Sequence, residues 1–324
     1  MHRIVPKKVV GLTMATAMLV GTTGTSAMAQ DDLTIGVSFP ILDQFLQTVE
    51  TGMQDKAEEI GGVELVVVSA EENTVTQQDQ VKNFITQEVD AIVVIPVDTD
   101  AAGPMTADAT AAGIPLVYVN RRPSDLPTDG SVPYVGSDSL FAGTAEMEML
   151  AELAGYEGNV VIIVGDPANE AAVLRTQGCQ DVIDQHEGLN LILEPQAGNW
   201  FRERGLDIME NWIQTGEQID IVCANNDEMA LGAIEALKAA DMVDDVLLGG
   251  VDATAVALES MAAGELDVTV FQNAAAQGGG GIDAAVKLIN GEPIENMVDG
   301  VVDVPYEPVG PDDLEKYQEI VSGG

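Results

Sequence analysis

Aromatic residues make up only 4% of this 324-residue chain, and its 13 basic residues face 54 acidic ones. With so few rings, any core must be built from aliphatic side chains. A formal net charge of −41 repels polyanions and so excludes nucleic acid and anionic lipid as partners. It is read here as adaptation to high salt, where screening weakens self-repulsion. The two cysteines, Cys179 and Cys223, are too few for a disulfide framework. An oxidising compartment would permit one bridge, but the expectation is two buried free thiols. Histidine is as scarce. The second of the two, His186 in 184-DQHEGLN-190, sits in a polar helix end and reads as solvated. No CxxC or HExxH pattern is present, so neither a metal nor a cofactor is expected. There is no G-x-S-x-G elbow. The run 277-QGGGGID-283 lacks the GK[ST] ending of a phosphate loop and reads instead as small residues that let a helix start pack closely. No catalytic set emerges, and no enzyme is expected.

The first thirty residues read as a signal peptide. MHRIVPKK supplies three positive charges, VVGLTMATAMLVG a short apolar run, and Ala27-Met28-Ala29 a small-x-small cleavage site. Their removal would leave the rest more acidic still. The expected location is the periplasm. The remaining chain repeats a β/α alternation. Strand patterns lie at 33–39, 63–70, 91–97, 115–120, 133–137, 159–166, 189–196, 219–225, 246–252 and 266–272. Amphipathic stretches of helical length lie between them, as at 43–60, 140–155 and 227–240. The strands are near-continuous apolar runs, the mark of parallel sheets covered by helices on both faces. About ten strands are too many for one comfortable doubly wound sheet. The turn-rich 123-PSDLPTDGSVP-133 breaks the even rhythm of a (β/α)8 barrel. The predicted fold class is therefore α/β with two Rossmann-like lobes: 31–136 plus 274–300, and 137–273 plus 301–324.

Ligands of open parallel sheets sit beyond the carboxyl ends of the strands. The residues that follow each strand are Asp43 and Phe45; Asn120, Arg121 and Arg122; Asp166, Asn169 and Arg175; Asn199 and Trp200; Asn225, Asn226 and Asp227; Asp252; and Gln272 and Asn273. Most carry planar groups able to make two hydrogen bonds at once, which matches the adjacent hydroxyls of a sugar or cyclitol. Phe45 and Trp200 offer faces for the C–H side of such a ring. A polar residue at a strand end is also a common helix N-cap, and Asp227 and Thr254 are read that way. Recurrence at most strand ends, and the presence of Arg and Trp, which do not cap, favour a binding cleft.

The stretches 223-CANNDEMALGAIEALKAA-240, 249-GGVDATAVALESMAAGELDVTVFQN-273, 135-VGSDSLFAG-143 and 301-VVDVPYEPVGPDDL-314 resemble the periplasmic sugar-binding proteins of ABC importers, of the ribose- and galactose-binding type. The resemblance runs through essentially the whole chain after residue 30. The LacI-type repressors share this core but begin with a DNA-binding helix-turn-helix. The resemblance implies two lobes joined by a three-segment hinge, closing on a ligand. It also implies roles for particular residues. Phe45 and Trp200 stack on the ligand, with Asp43 beside Phe45. Asn120 and Arg121 take the place of an Asp-Arg or Asn-Lys pair, and Arg175 that of a shared cleft arginine. Asn226, Asp252 and Gln272 are polar ligands from the last three strand ends. Several positions depart from the pattern. Leu46 replaces a second Phe, and Ile95 before Pro96 replaces a cleft Asn. Asn169 and Ala171 replace a His and an Asp, and the calcium loop of the galactose type is missing. The expected ligand is thus a neutral monosaccharide or cyclitol, a pentose, hexose or myo-inositol, passed to an ABC permease by a monomer. A chemoreceptor would be a second partner. Of the adjacent arginines, Arg121 is expected to bind and Arg122 to form a salt bridge at the cleft rim.

Overall fold

The computed structural model describes Met1 and residues 32–322; the segment read from the sequence as a signal peptide lies, Met1 apart, outside the described residues. The chain opens with β1 (Leu33–Phe39), α1 (Gln44–Ile60), β2 (Val63–Ser69), α2 (Thr74–Thr86), β3 (Ala91–Val94), α3 (Gly103–Ala112), β4 (Leu116–Val119) and β5 (Tyr134–Gly136). It continues with α4 (Ser139–Leu153), β6 (Gly158–Val164), α5 (Glu170–Gln185), β7 (Leu189–Leu191), β8 (Gln196–Ala197), α6 (Arg202–Thr215), β9 (Ile221–Ala224), α7 (Asp227–Ala239), β10 (Leu247–Gly249), α8 (Ala255–Ala262) and β11 (Thr269–Phe271). It ends with α9 (Ala274–Asn290), β12 (Val301–Asp303), β13 (Glu307–Val309) and α10 (Leu314–Val321).

Two parallel sheets make two lobes. The first has the order β12-β5-β4-β3-β1-β2, and the second β10-β9-β6-β7 with β8 also on β6. The central strands β3 (Ala91–Val94) and β9 (Ile221–Ala224) are buried along their length, because helices cover both faces. The aliphatic composition suits this arrangement. One face of the first sheet packs Ile35, Val37, Val93 and Val119 against α1 and α9. The other packs Ile92, Val94 and Leu116 with Met105 and Phe84. In α9 the glycine run brings backbone onto backbone: a Cβ on Gly278 would overlap the Val49 carbonyl oxygen, and one on Gly52 the Ala275 carbonyl oxygen.

The structure departs from the sequence reading at four places. The single strand expected over 189–196 is two short strands, since Pro195 has no N–H for the ladder. β12 and β13 were not anticipated; each has three residues and prolines lie beside or within them. β12 pairs in parallel with β5 of the first sheet, whereas the sequence boundaries give 301–303 to the second lobe. Finally, Cys179 and Cys223 form a disulfide rather than two free thiols. The cysteines lie on α5 and β9, elements that pack side by side in one buried cluster, a proximity that linear spacing does not reveal.

β11 and β13 pair antiparallel in the second lobe, and the chain passes between the lobes three times: after β5, after β11, and between β12 and β13. The crossings are tied to one another. Val304 N–H donates to Gly136 O at 2.7 Å, the Ser137 hydroxyl donates to Val304 O at 2.5 Å, and Gln277 Nε2 donates to Ser137 Oγ at 2.8 Å.

Candidate functional site

The carboxyl ends of the two sheets face each other across a cleft. One cavity there is lined by Asp43, Phe45, Leu46, Asn120, Arg121, Ala171, Arg175, Trp200, Asn226, Asp252 and Gln272. Nine of the sixteen strand-end residues named from the sequence thus meet in one place, and they are the nine to which the resemblance gives a ligand role. Asn169, also expected at the site, is fully buried and outside the lining.

Capping and cleft exposure coexist rather than compete. Asp43 lines the cavity while its Oδ1 accepts from Leu46 N–H at 2.8 Å at the start of α1. Asn226 does the same for α7, accepting from Met229 N–H at 3.1 Å. Thr254 caps α8 as expected. Asp227 does not cap α7. It is buried and accepts from Thr254 N–H and Thr269 Oγ1, each at 2.7 Å. Burial pushes its carboxyl up to about 7, against the pull of those two bonds.

The arginines are held from behind. Arg175 Nη1 donates to Asn225 O at 2.6 Å, and Nη2 donates to Gln272 Oε1 at 3.0 Å and to the Tyr306 hydroxyl at 2.6 Å. Gln272 and Tyr306 stand in the second and third crossings, so the hinge itself orients this side chain. Burial pulls the Arg175 pKa down, but Tyr306 and Asp252 outweigh it and the guanidinium stays charged. Its Nε has no protein acceptor among the described residues. The Asp252 carboxylate lies 3.8 Å from Nη1; burial raises its pKa well above the ordinary range against the pull of Arg175. Across the cleft, Arg121 Nη1 donates to Pro96 O at 3.2 Å, and Glu72 lies 4.0 Å from Nη2. Burial lowers the Arg121 pKa against Glu72 and Asp43. Burial likewise raises Asp43, opposed by the Leu46 N–H and Arg121. Arg122 forms no ion pair within 4 Å among the described residues, contrary to expectation. Its charge instead opposes the burial of Glu170 in the second lobe.

Backbone strain marks the site. Asn120, Trp200 and Asp252 all have positive φ, at 65°, 72° and 124°, conformations that side chains other than glycine rarely adopt. The Trp200 ring occupies the space where Gly165 lacks a Cβ, and its face lies 5.6 Å from the Arg175 guanidinium carbon. Sequence reading missed Glu72, Tyr306 and Gln277. Glu72 is hidden among many acids, and Tyr306 follows a strand too short to recognise. Gln277, fully buried inside the glycine run, accepts from Asn120 Nδ2 at 2.9 Å.

The family model for periplasmic binding protein domains matches residues 35–293. The chain belongs to the periplasmic binding protein domain family. Members of this family are binding proteins. A Rhizobium meliloti protein whose assigned name is that of a rhizopine-binding protein is 44% identical to this periplasmic binding protein, over 96% of this chain and 98% of the relative. The ribose import binding protein of Escherichia coli is 30% identical over 89% and 95%. Among solved structures, an ABC transporter solute-binding protein from Bacillus halodurans with bound myo-inositol superposes with a TM-score of 0.84 at 41% identity, covering 89% of this chain and 97% of that one. The two-lobed α/β fold is that of the type I periplasmic binding proteins.

Proposed function

We propose that this protein is the solute-binding component of an ABC importer. Its ligand is a small neutral polyhydroxylated ring, with a cyclitol of the myo-inositol kind ahead of pentoses and hexoses. The observation that carries the reading is the balance of the lining. Arg121 lies near Glu72 and Asp43, and Arg175 beside Asp252, so each cation of the lining has a carboxylate partner and a neutral ligand adds no further charge to be buried. Asn120, Asn226 and Gln272 add amide groups, and Phe45 and Trp200 add faces for a ring. The myo-inositol-bound neighbour at 41% identity supports a cyclitol. The residues come from both lobes, so a bound ring favours the closed form by contacts that an open form lacks. That form is what the permease would recognise.

The test is a calorimetric and thermal-shift panel of myo-inositol, ribose, allose, amino acids and small anions against the purified protein. A neutral ring at a hundred times its Kd should add about 2.7 kcal/mol of stability. Shifts with amino acids or anions alone would refute the reading.

A further inference from the structure

Asn169 has a position that neither capping nor ligand contact explains. It precedes α5 without capping it, and it is fully buried. Both ends of its amide are used. Nδ2 donates to Val97 O at 2.8 Å, in the loop after β3 of the opposite lobe. Oδ1 accepts from the Trp200 indole N–H at 2.9 Å. Beside it, Thr99 of the first lobe clasps the same loop of the second. Its N–H and Oγ1 both donate to Ala168 O, at 3.0 and 3.1 Å, and Oγ1 accepts from Glu170 N–H at 3.1 Å. Four hydrogen bonds therefore join the lobes without any ligand atom. The clasp is spliced to the cavity at both ends, through Trp200 on one side and through Arg121, which donates to Pro96 O, on the other.

We propose that Asn169 and Thr99 form a latch that stabilises the closed form and so sets affinity from outside the ligand's reach. The inference rests on the binding reading above for its ligand assay but on the structure alone for its geometry. A ligand that must itself drive closure gives up part of its intrinsic affinity to do so, and a latch returns that part. Asn169 and Thr99 are thus positioning residues of the closed state.

Thr99→Val keeps the side-chain shape and removes both Oγ1 bonds; Asn169→Leu removes the amide bridge. Each should raise the Kd for myo-inositol about tenfold, the effect of losing about 1.4 kcal/mol of net hydrogen bonding. The loss should appear as faster release, with the association rate within about twofold of wild type. A Kd within twofold of wild type for both variants would overturn the latch. Should wild type bind none of myo-inositol, ribose and allose, the sugar reading falls and small-angle X-ray scattering judges the latch alone. The wild-type protein must then be more compact than Thr99→Val, and equal radii of gyration overturn it.

Discussion

The Cys179–Cys223 disulfide permits a quantitative prediction. It closes a loop with a sequence separation of 44 and holds Cα atoms 6.8 Å apart. In the chain-entropy treatment a cross-link of this span stabilises by about 4 kcal/mol, because it removes open conformations from the unfolded chain. The bridge ties α5 to β9. Arg175 lies one helical turn before Cys179, and Asn225, whose carbonyl accepts from Arg175, lies two residues after Cys223. Breaking the bridge should therefore destabilise the second lobe and loosen one side of the cleft. The perturbation is reduction of wild type, compared with the Cys179→Ala/Cys223→Ala variant. The assay is urea unfolding followed by tryptophan fluorescence, since Trp212 is only 2% exposed in the core of that lobe. The expected loss is about 4 kcal/mol, or roughly 8–16 °C in Tm, with m rising because the unfolded chain expands. Two outcomes would refute the reasoning: a loss below about 1 kcal/mol, or two reactive thiols in unreduced protein opened by denaturant.

The other expectations follow from the same structure. Arg121→Met should weaken binding at least tenfold, because it leaves Asp43 and Glu72 without their cation. Arg122→Met should stay within about threefold; isothermal titration separates the two, and equal effects would contradict the placement. Asp227 sits at about 7 in the folded protein against roughly 3.9 in an unfolded chain. The folded state therefore holds the extra proton, and its stability contribution is full below about pH 4 and lost as pH rises towards 7. Asp227→Asn should flatten that fall, which approaches about 1.4 kcal/mol per pH unit, in urea titrations across the window. Gly278→Ala places a Cβ against the Val49 carbonyl and should cost about 3 kcal/mol, while Gly264→Ala, where a Cβ meets no neighbour, should cost only the strain of its positive φ.

Much of the fold was legible because local pattern and tertiary role agree. The helices expected at 43–60, 140–155 and 227–240 appear at Gln44–Ile60, Ser139–Leu153 and Asp227–Ala239, where amphipathic spacing and cap residues set them. The parallel strands announce themselves through unbroken apolar runs, since burial on both faces demands them. The strand-end residues were legible as well. A parallel α/β sheet puts every such residue at one edge, so knowing the strands places the side chains to within a loop.

Other features depended on distances between segments far apart in the chain. Cys179 and Cys223 are 44 residues apart, and only the packing of α5 against β9 makes them partners. Tyr306 carries no signal of its own; it acquires a role because the third crossing passes beside Arg175. Asn169 shares its residue type and strand-end position with Asn226, yet one is spent between lobes and the other faces the cavity. Composition, periodicity and strand-end chemistry are local or additive, and they determined the fold class and the set of groups around the cleft. Which of those groups stay free for a ligand and which hold the protein to itself was decided by tertiary structure, because a hydrogen-bonding atom already matched within the protein has less to offer another molecule.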